Sequence, residues 1–124
     1  MGLIVKRMEF WGTKGPRMCE TLFDTGASAS FVRKDVAEAL GDVRTAPFPL
    51  SFKLGDNSVV EVNQTTELYL RLNGHNIWHS FLVVPNLPYE IILGADFFQR
   101  WKIKLDPVTE EFILDEKALE TILV

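Results

Sequence analysis

Cysteine is almost missing from this sequence: 124 residues contain only Cys19, so no internal disulfide can staple the fold. Histidine is equally scarce. His75 and His79 supply no Cys/His set with zinc spacing, and their i,i+4 separation falls in a strand-turn-strand context that does not put them on one helical face. Neither a metal nor a cofactor is expected. No apolar run approaches the ~18 residues of a membrane span, Phe81-Leu82-Val83-Val84 being the longest notable one. Positive charge is in deficit, with 13 Lys and Arg against 17 Asp and Glu and a net charge of -4, so there is no basic field for a phosphate backbone. Nucleic acid and membrane are therefore excluded as expected partners. The N-terminus, Met1-Gly2-Leu3-Ile4-Val5-Lys6-Arg7, places its charges after the apolar residues and lacks the apolar core of a signal peptide. Lys6 breaks the myristoylation pattern that Gly2 begins. The expectation is a soluble, cytoplasmic protein, and a starting Met with one full domain suggests an independent polypeptide.

What is present is an ordinary globular balance, 47% apolar and 24% charged residues. A chain of this length forms one domain, residues 1–124, and buries roughly two-thirds of its unfolded surface. No repeat, linker or low-complexity segment interrupts it. Short strands dominate: 3–11 and 17–23 around a turn-rich break at 12–16, then 27–32, 50–54, 58–63, 66–72, 77–84, 90–93, 103–105 and 111–114. Gly55-Asp56-Asn57 and Asn73-Gly74 suit hairpin tips, because Gly and Asn tolerate positive φ. Val36, Ala37 and Leu40 have helical spacing over 34–40, with Gly41 where a terminating glycine belongs. A second short helix is predicted over 95–101, with Phe97, Phe98 and Trp101 on its apolar stripe. The last ten residues, 115–124, fit either a helix or a strand.

The candidate chemistry begins at Leu22-Phe23-Asp24-Thr25-Gly26-Ala27-Ser28. An acid directly after apolar strand residues sits where a strand leaves the core for a tight turn, and its carboxylate is partly desolvated. Some seventy residues later comes Ile91-Ile92-Leu93-Gly94-Ala95-Asp96-Phe97-Phe98, an apolar strand that ends in glycine and enters a helix. This pairing resembles the retropepsins, the single-domain aspartic proteases of retroviruses and long-terminal-repeat retrotransposons. Ser30-Phe31-Val32, the helix ending Ala39-Leu40-Gly41, the hairpin around Gly55-Asp56-Asn57 and the stretch from Phe81 to Gly94 are similar to the retrotransposon enzymes in particular. They also resemble retropepsin-like domains of some ubiquitin-shuttle and bacterial proteins.

The resemblance implies an all-β, closed acid-protease barrel with one or two short helices, working as a homodimer on polypeptide substrates. Peptide hydrolysis of this kind needs two carboxylates sharing one proton, because like charges about 3 Å apart cannot both ionise. One activates water while its protonated mate polarises the scissile carbonyl. A chain with one Asp-Thr-Gly would meet that need by two-fold symmetry, bringing Asp24 beside its twin. The resemblance further implies that Thr25 locks the two loops across the axis, that Gly26 permits close approach, and that Gly94 packs under the loop. It makes the hairpin from Phe52 to Val60 the flap, with Gly55 and Asp56 at its tip. Ala27, Ser28, Phe52, Leu54, Pro88 and Tyr89 are candidate substrate contacts, and Phe48 a further pocket wall. Viral enzymes pair an acid after Asp-Thr-Gly-Ala with an Arg after the later glycine. Here Ser28 and Ala95 stand in those places, so both partners are missing together.

Other residues carry plainer expectations. Cys19 is a buried thiol, Trp11, Trp78 and Trp101 are core or interface anchors, and Asp96 caps the helix it begins. Glu110, Glu111, Asp115 and Glu116 form a solvated turn. The alternatives to an enzyme are a non-hydrolysing retropepsin-like peptide-binding or dimerisation module, and a monomeric small barrel in which Asp24-Thr25-Gly26 is an ordinary turn.

Overall fold

The computed structural model describes residues 4–54 and 56–115. Strands β1 (Ile4–Gly12) and β2 (Gly15–Phe23) pair antiparallel down to Gly12 opposite Gly15, which shrinks the expected break at 12–16 to a two-residue turn. Strand β3 covers only Phe31–Arg33, shorter than the expected 27–32. The reason lies in backbone partners: Ala27 N–H donates to the Asp24 carbonyl and Ala27 O accepts from Ala95 N–H, so this stretch is spent on loop bonds, not on a ladder.

Helix α1 (Lys34–Leu40) buries Val36, Ala37 and Leu40 as the spacing predicts. Gly41 follows it in extended conformation (φ -174°), not in the left-handed cap expected of a terminating glycine. Packing explains the residue instead, since a Cβ at position 41 would stand 3.1 Å from Thr13 N and Oγ1 in the first hairpin.

Strand β4 (Arg44–Lys53) starts six residues before the predicted 50–54. Its pairing lapses between Thr45 and Leu50, where Pro47 and Pro49 have no N–H to give. Strand β5 (Val59–Leu72) runs through the two segments expected at 58–63 and 66–72, because Thr65 is shared by its ladders to β4 and to β6 (His75–Val84). Strand β7 (Ile91–Leu93), helix α2 (Ala95–Arg100) and the separate hairpin of β8 (Lys104–Asp106) and β9 (Glu111–Ile113) complete the described chain. Residues 116–124, most of the ambiguous C-terminal stretch, lie outside the described residues.

The large sheet has the order β1-β2-β7-β3-β6-β5-β4, and Trp11 of β1 also pairs with Tyr69 of β5. That contact closes six strands into a barrel and leaves β4 outside the ring. The architecture is the all-β, closed barrel with two short helices that the resemblance implies. Two apolar clusters explain the unbroken apolar runs. Phe23, Val32, Ile91 and Leu93 face one, while their neighbours Leu22, Phe31 and Ile92 face the other, so these strands are buried on both sides.

Candidate active site

Asp24 leaves β2 beside Leu93 of β7: its N–H donates to the Leu93 carbonyl at 2.9 Å. The Asp24 carboxylate folds back, Oδ1 accepting the Gly26 N–H at 3.0 Å. The side chain is half-buried, Thr25 and Gly26 are exposed, and Ala27 is buried. The tight turn thus presents a carboxylate at the surface while pinning its backbone to the barrel. Gly94 lies directly beneath. A Cβ there would come within 2.1 Å of the Ala29 carbonyl oxygen, so only glycine permits this approach. Ala95 N–H donates to the Ala27 carbonyl at 2.8 Å, tying the loop to the start of α2.

Behind the loop sits a polar group that the sequence reading assigned differently. Asp96 does not cap α2; Gly94 occupies the cap position and no side chain bonds there. Instead Asp96 Oδ1 accepts from Ser30 Oγ at 2.8 Å and Oδ2 lies 2.8 Å from His79 Nε2. Ser30 Oγ in turn accepts the Gly94 N–H at 3.0 Å. Burial pushes the Asp96 carboxyl up, but the hydrogen bonds from His79 and Ser30 outweigh it and hold the group below the usual carboxylate range. His79 is buried edge-on between Phe81 and Phe97, at 5.5 and 5.3 Å between ring centres. Its inward position was readable from alternation, since Ile77, His79, Phe81 and Val83 are all buried on β6.

The candidate contact residues divide into two groups. Phe52, Leu54 and Tyr89 pack with Ala27 in the second apolar cluster, and Phe52 meets Phe31 edge-to-face at 6.1 Å. They form an apolar wall beside the Asp24 loop. Ser28 bonds the hairpin directly, its N–H and Oγ both reaching the Lys53 carbonyl, at 3.4 and 3.3 Å. Phe48 stands apart with 63% of its surface exposed, because the interrupted pairing of β4 carries it off the wall. Pro88 is exposed beside buried Leu87. Asp56 turns into its own loop, accepting from Ser58 N–H and Oγ, bonds that hold its carboxyl below the ordinary value. Gly55 lies outside the described residues.

Glu90 anchors the loop before β7. It accepts the Glu20 N–H at 2.8 Å and an Arg17 Nη2 bond at 3.0 Å, and burial, which raises its carboxyl, is outweighed by these contacts. Cys19 is buried, as expected, and burial followed by the nearby Glu90 charge pushes its thiol up to about 11. Trp101 is a core residue, whereas Trp78 lies 37% exposed on the barrel's outer face. Among the described residues, no three His, Cys, Asp or Glu side chains are grouped to hold a metal ion, and no helix is long and apolar enough to cross a membrane.

The comparisons agree with this geometry. A solved structure, the retroviral protease-like domain of Ddi1 from Leishmania major, superposes with a TM-score of 0.57 over 93% of this chain and 89% of that one, at 15% sequence identity. At that identity the likeness speaks for the fold alone. The sequence match carries further, because residues 14–100, spanning both the Asp24 loop and Gly94, match the family described as "gag-polyprotein putative aspartyl protease". The chain belongs to that aspartyl protease family, on a retropepsin-like barrel.

Proposed function

We propose that the chain is an aspartic endopeptidase that cuts extended polypeptides as a homodimer. The observation that carries this reading is the Asp24 turn: a carboxylate with a fixed backbone, open to solvent, beside an apolar wall of Phe52, Leu54 and Tyr89. One carboxylate per chain cannot both activate water and polarise the carbonyl, so two-fold symmetry supplies the second. Thr25 and Gly26 lie exposed at the same edge, where a partner's loop would meet them. Substrate enters as an added strand between hairpin and floor, with apolar side chains against the wall. Ala27, Ser28, Gly55, Asp56 and Pro88 border that path.

One contact favours a second reading, a peptide-binding or dimerisation module without hydrolysis. Ser28 N–H, a backbone donor at the edge of the loop, is already bonded to Lys53 of the hairpin and is not free for a substrate carbonyl. A substrate carbonyl would reach the Ser28 N–H only where the hairpin base releases it.

A peptide-library cleavage assay across enzyme concentrations decides between them. For a dimeric protease, specific activity falls on dilution, Asp24→Asn abolishes turnover, and a statine-type transition-state mimic blocks it. Peptide binding with no cleavage at any concentration or pH establishes the module instead.

A further inference from the structure

We propose that the outer face of the barrel carries a second binding site, for a proline-rich polypeptide segment bearing acidic residues. The site is independent of hydrolysis. Trp11 pairs with Tyr69 and Tyr69 with Trp78, so three aromatic side chains stand in a row across β1, β5 and β6. Tyr69 and Trp78 are 46% and 37% exposed, and the row walls a surface recess of about 420 Å³. Eight residue steps lead along β2 from Pro16, opposite Trp11, to Asp24, roughly 25 Å at the strand rise. The recess is thus remote from the proposed cleft.

Three features select the occupant. The outer two rings sit two strand spacings apart, roughly 10 Å, close to the ~9 Å of one polyproline II turn, so prolines one turn apart register with the two outer rings. Hydrogen-bonding capacity points the same way. The polar side chains lining the recess are rich in donors (two indoles, a phenol, Arg71 and Asn76) and include no carboxylate, while the Asn76 oxygen is already taken by Arg71 Nε at 3.1 Å. A proline tract offers carbonyl acceptors and no backbone N–H, which complements such a lining. Charge completes the match. The Arg71 guanidinium lies 5.2 Å from the Trp11 ring centre and Arg100 4.9 Å from that of Trp78, setting a cation at each end of the row in a chain of net charge -4. An acidic residue on either side of the prolines meets them. Aromatic grooves are the established physical means of holding this preformed helix, which loses little entropy on binding.

The test uses the full chain carrying Asp24→Asn, which keeps any peptide intact and makes the result independent of the protease reading. The probe is a blocked peptide of six prolines with two glutamates at each end, titrated by calorimetry. Saturable one-to-one binding is expected. It should weaken at least tenfold when the prolines are replaced by glycines, at least tenfold in Trp78→Ala or Tyr69→Ser, and severalfold when lysines replace the glutamates. Far-UV circular dichroism verifies that each variant is folded, and two separate exposed positions guard against the loss of one. The proposal is overturned if the glycine peptide binds equally well or if the proline probe shows no saturation up to millimolar concentration. It is also overturned if Trp78→Ala converts a sedimenting dimer to monomer, since the face then belongs to a second copy of the chain.

Discussion

His79 Nε2 and Asp96 Oδ2 lie 2.8 Å apart, joining the middle of β6 to the first turn of α2 behind the Asp24 loop. The carboxylate only accepts, so the imidazole holds its proton on Nε2 and donates. Through Ser30 Oγ the same carboxylate reaches the Gly94 N–H, so one acid braces the residues on which the Asp24 turn rests. Asp96→Ala leaves Ser30 and His79 without their acceptor and should cost about 1–3 kcal/mol. Asp96→Asn should cost less, because the amide oxygen still serves one donor while its NH2 opposes the other. Urea denaturation of the three proteins checks the order; equal stability of Asp96→Ala and wild type would show that the network does not brace the fold.

Acid should expose the same group. The folded-state Asp96 carboxyl sits below its ordinary value, so its contribution to stability is complete above the unfolded value, about 4, and is lost as pH falls through the lowered one. Asp35, Asp56, Glu90 and Asp106 are shifted in the same direction and add to the acid sensitivity. In Asp96→Asn the Asp96 share is absent at every pH. Denaturation midpoints of wild type and variant should therefore converge below about pH 4, and a gap that persists or widens there contradicts the assignment.

Much of this was legible because the signals were local or the pattern was specific. Asp24-Thr25-Gly26 and Leu93-Gly94 marked the loop and its support, and the spacing of Val36, Ala37 and Leu40 marked the first helix. Long-range choices were less visible. Prolines at 47 and 49 disguised an interrupted edge strand as a loop, and Thr65, paired on both sides, hid the continuity of β5. Asp96 read as a helix cap because sequence shows its position in α2 but not the buried His79 facing it from seventeen residues away. Phe48 looked like a wall residue by type alone, and only the lapse in pairing puts it in solvent.

Cys19 offers a reporter of opening. It has no exposed surface, and with its thiol pushed up to about 11 only ~1 in 10,000 copies is thiolate at pH 7. Native protein should react with a disulfide reagent far more slowly than the unfolded chain, at a rate that rises with added denaturant as the barrel opens. Rapid labelling without denaturant would mean that the first hairpin separates from the core under native conditions.

Gly94→Ala tests whether the loop depends on contact from below. The added methyl would meet backbone, the Ala29 carbonyl at 2.1 Å and the Ala27 carbonyl at 3.0 Å, and neither can swing aside as a flexible side chain does. The loop must lift away or β7 must drop. Overpacking of this kind costs about 1–3 kcal/mol, which lowers Tm by several degrees in a domain of this size. Lifting also stretches the Ala95 N–H bond to Ala27, the tie that sets the height of the Asp24 turn. Cleavage, if the protease reading holds, should fall further than the stability loss explains when assayed well below Tm. Thermal melts and turnover measured on the same preparation separate the two effects, and an alanine variant with unchanged Tm would show that the loop does not sit on Gly94.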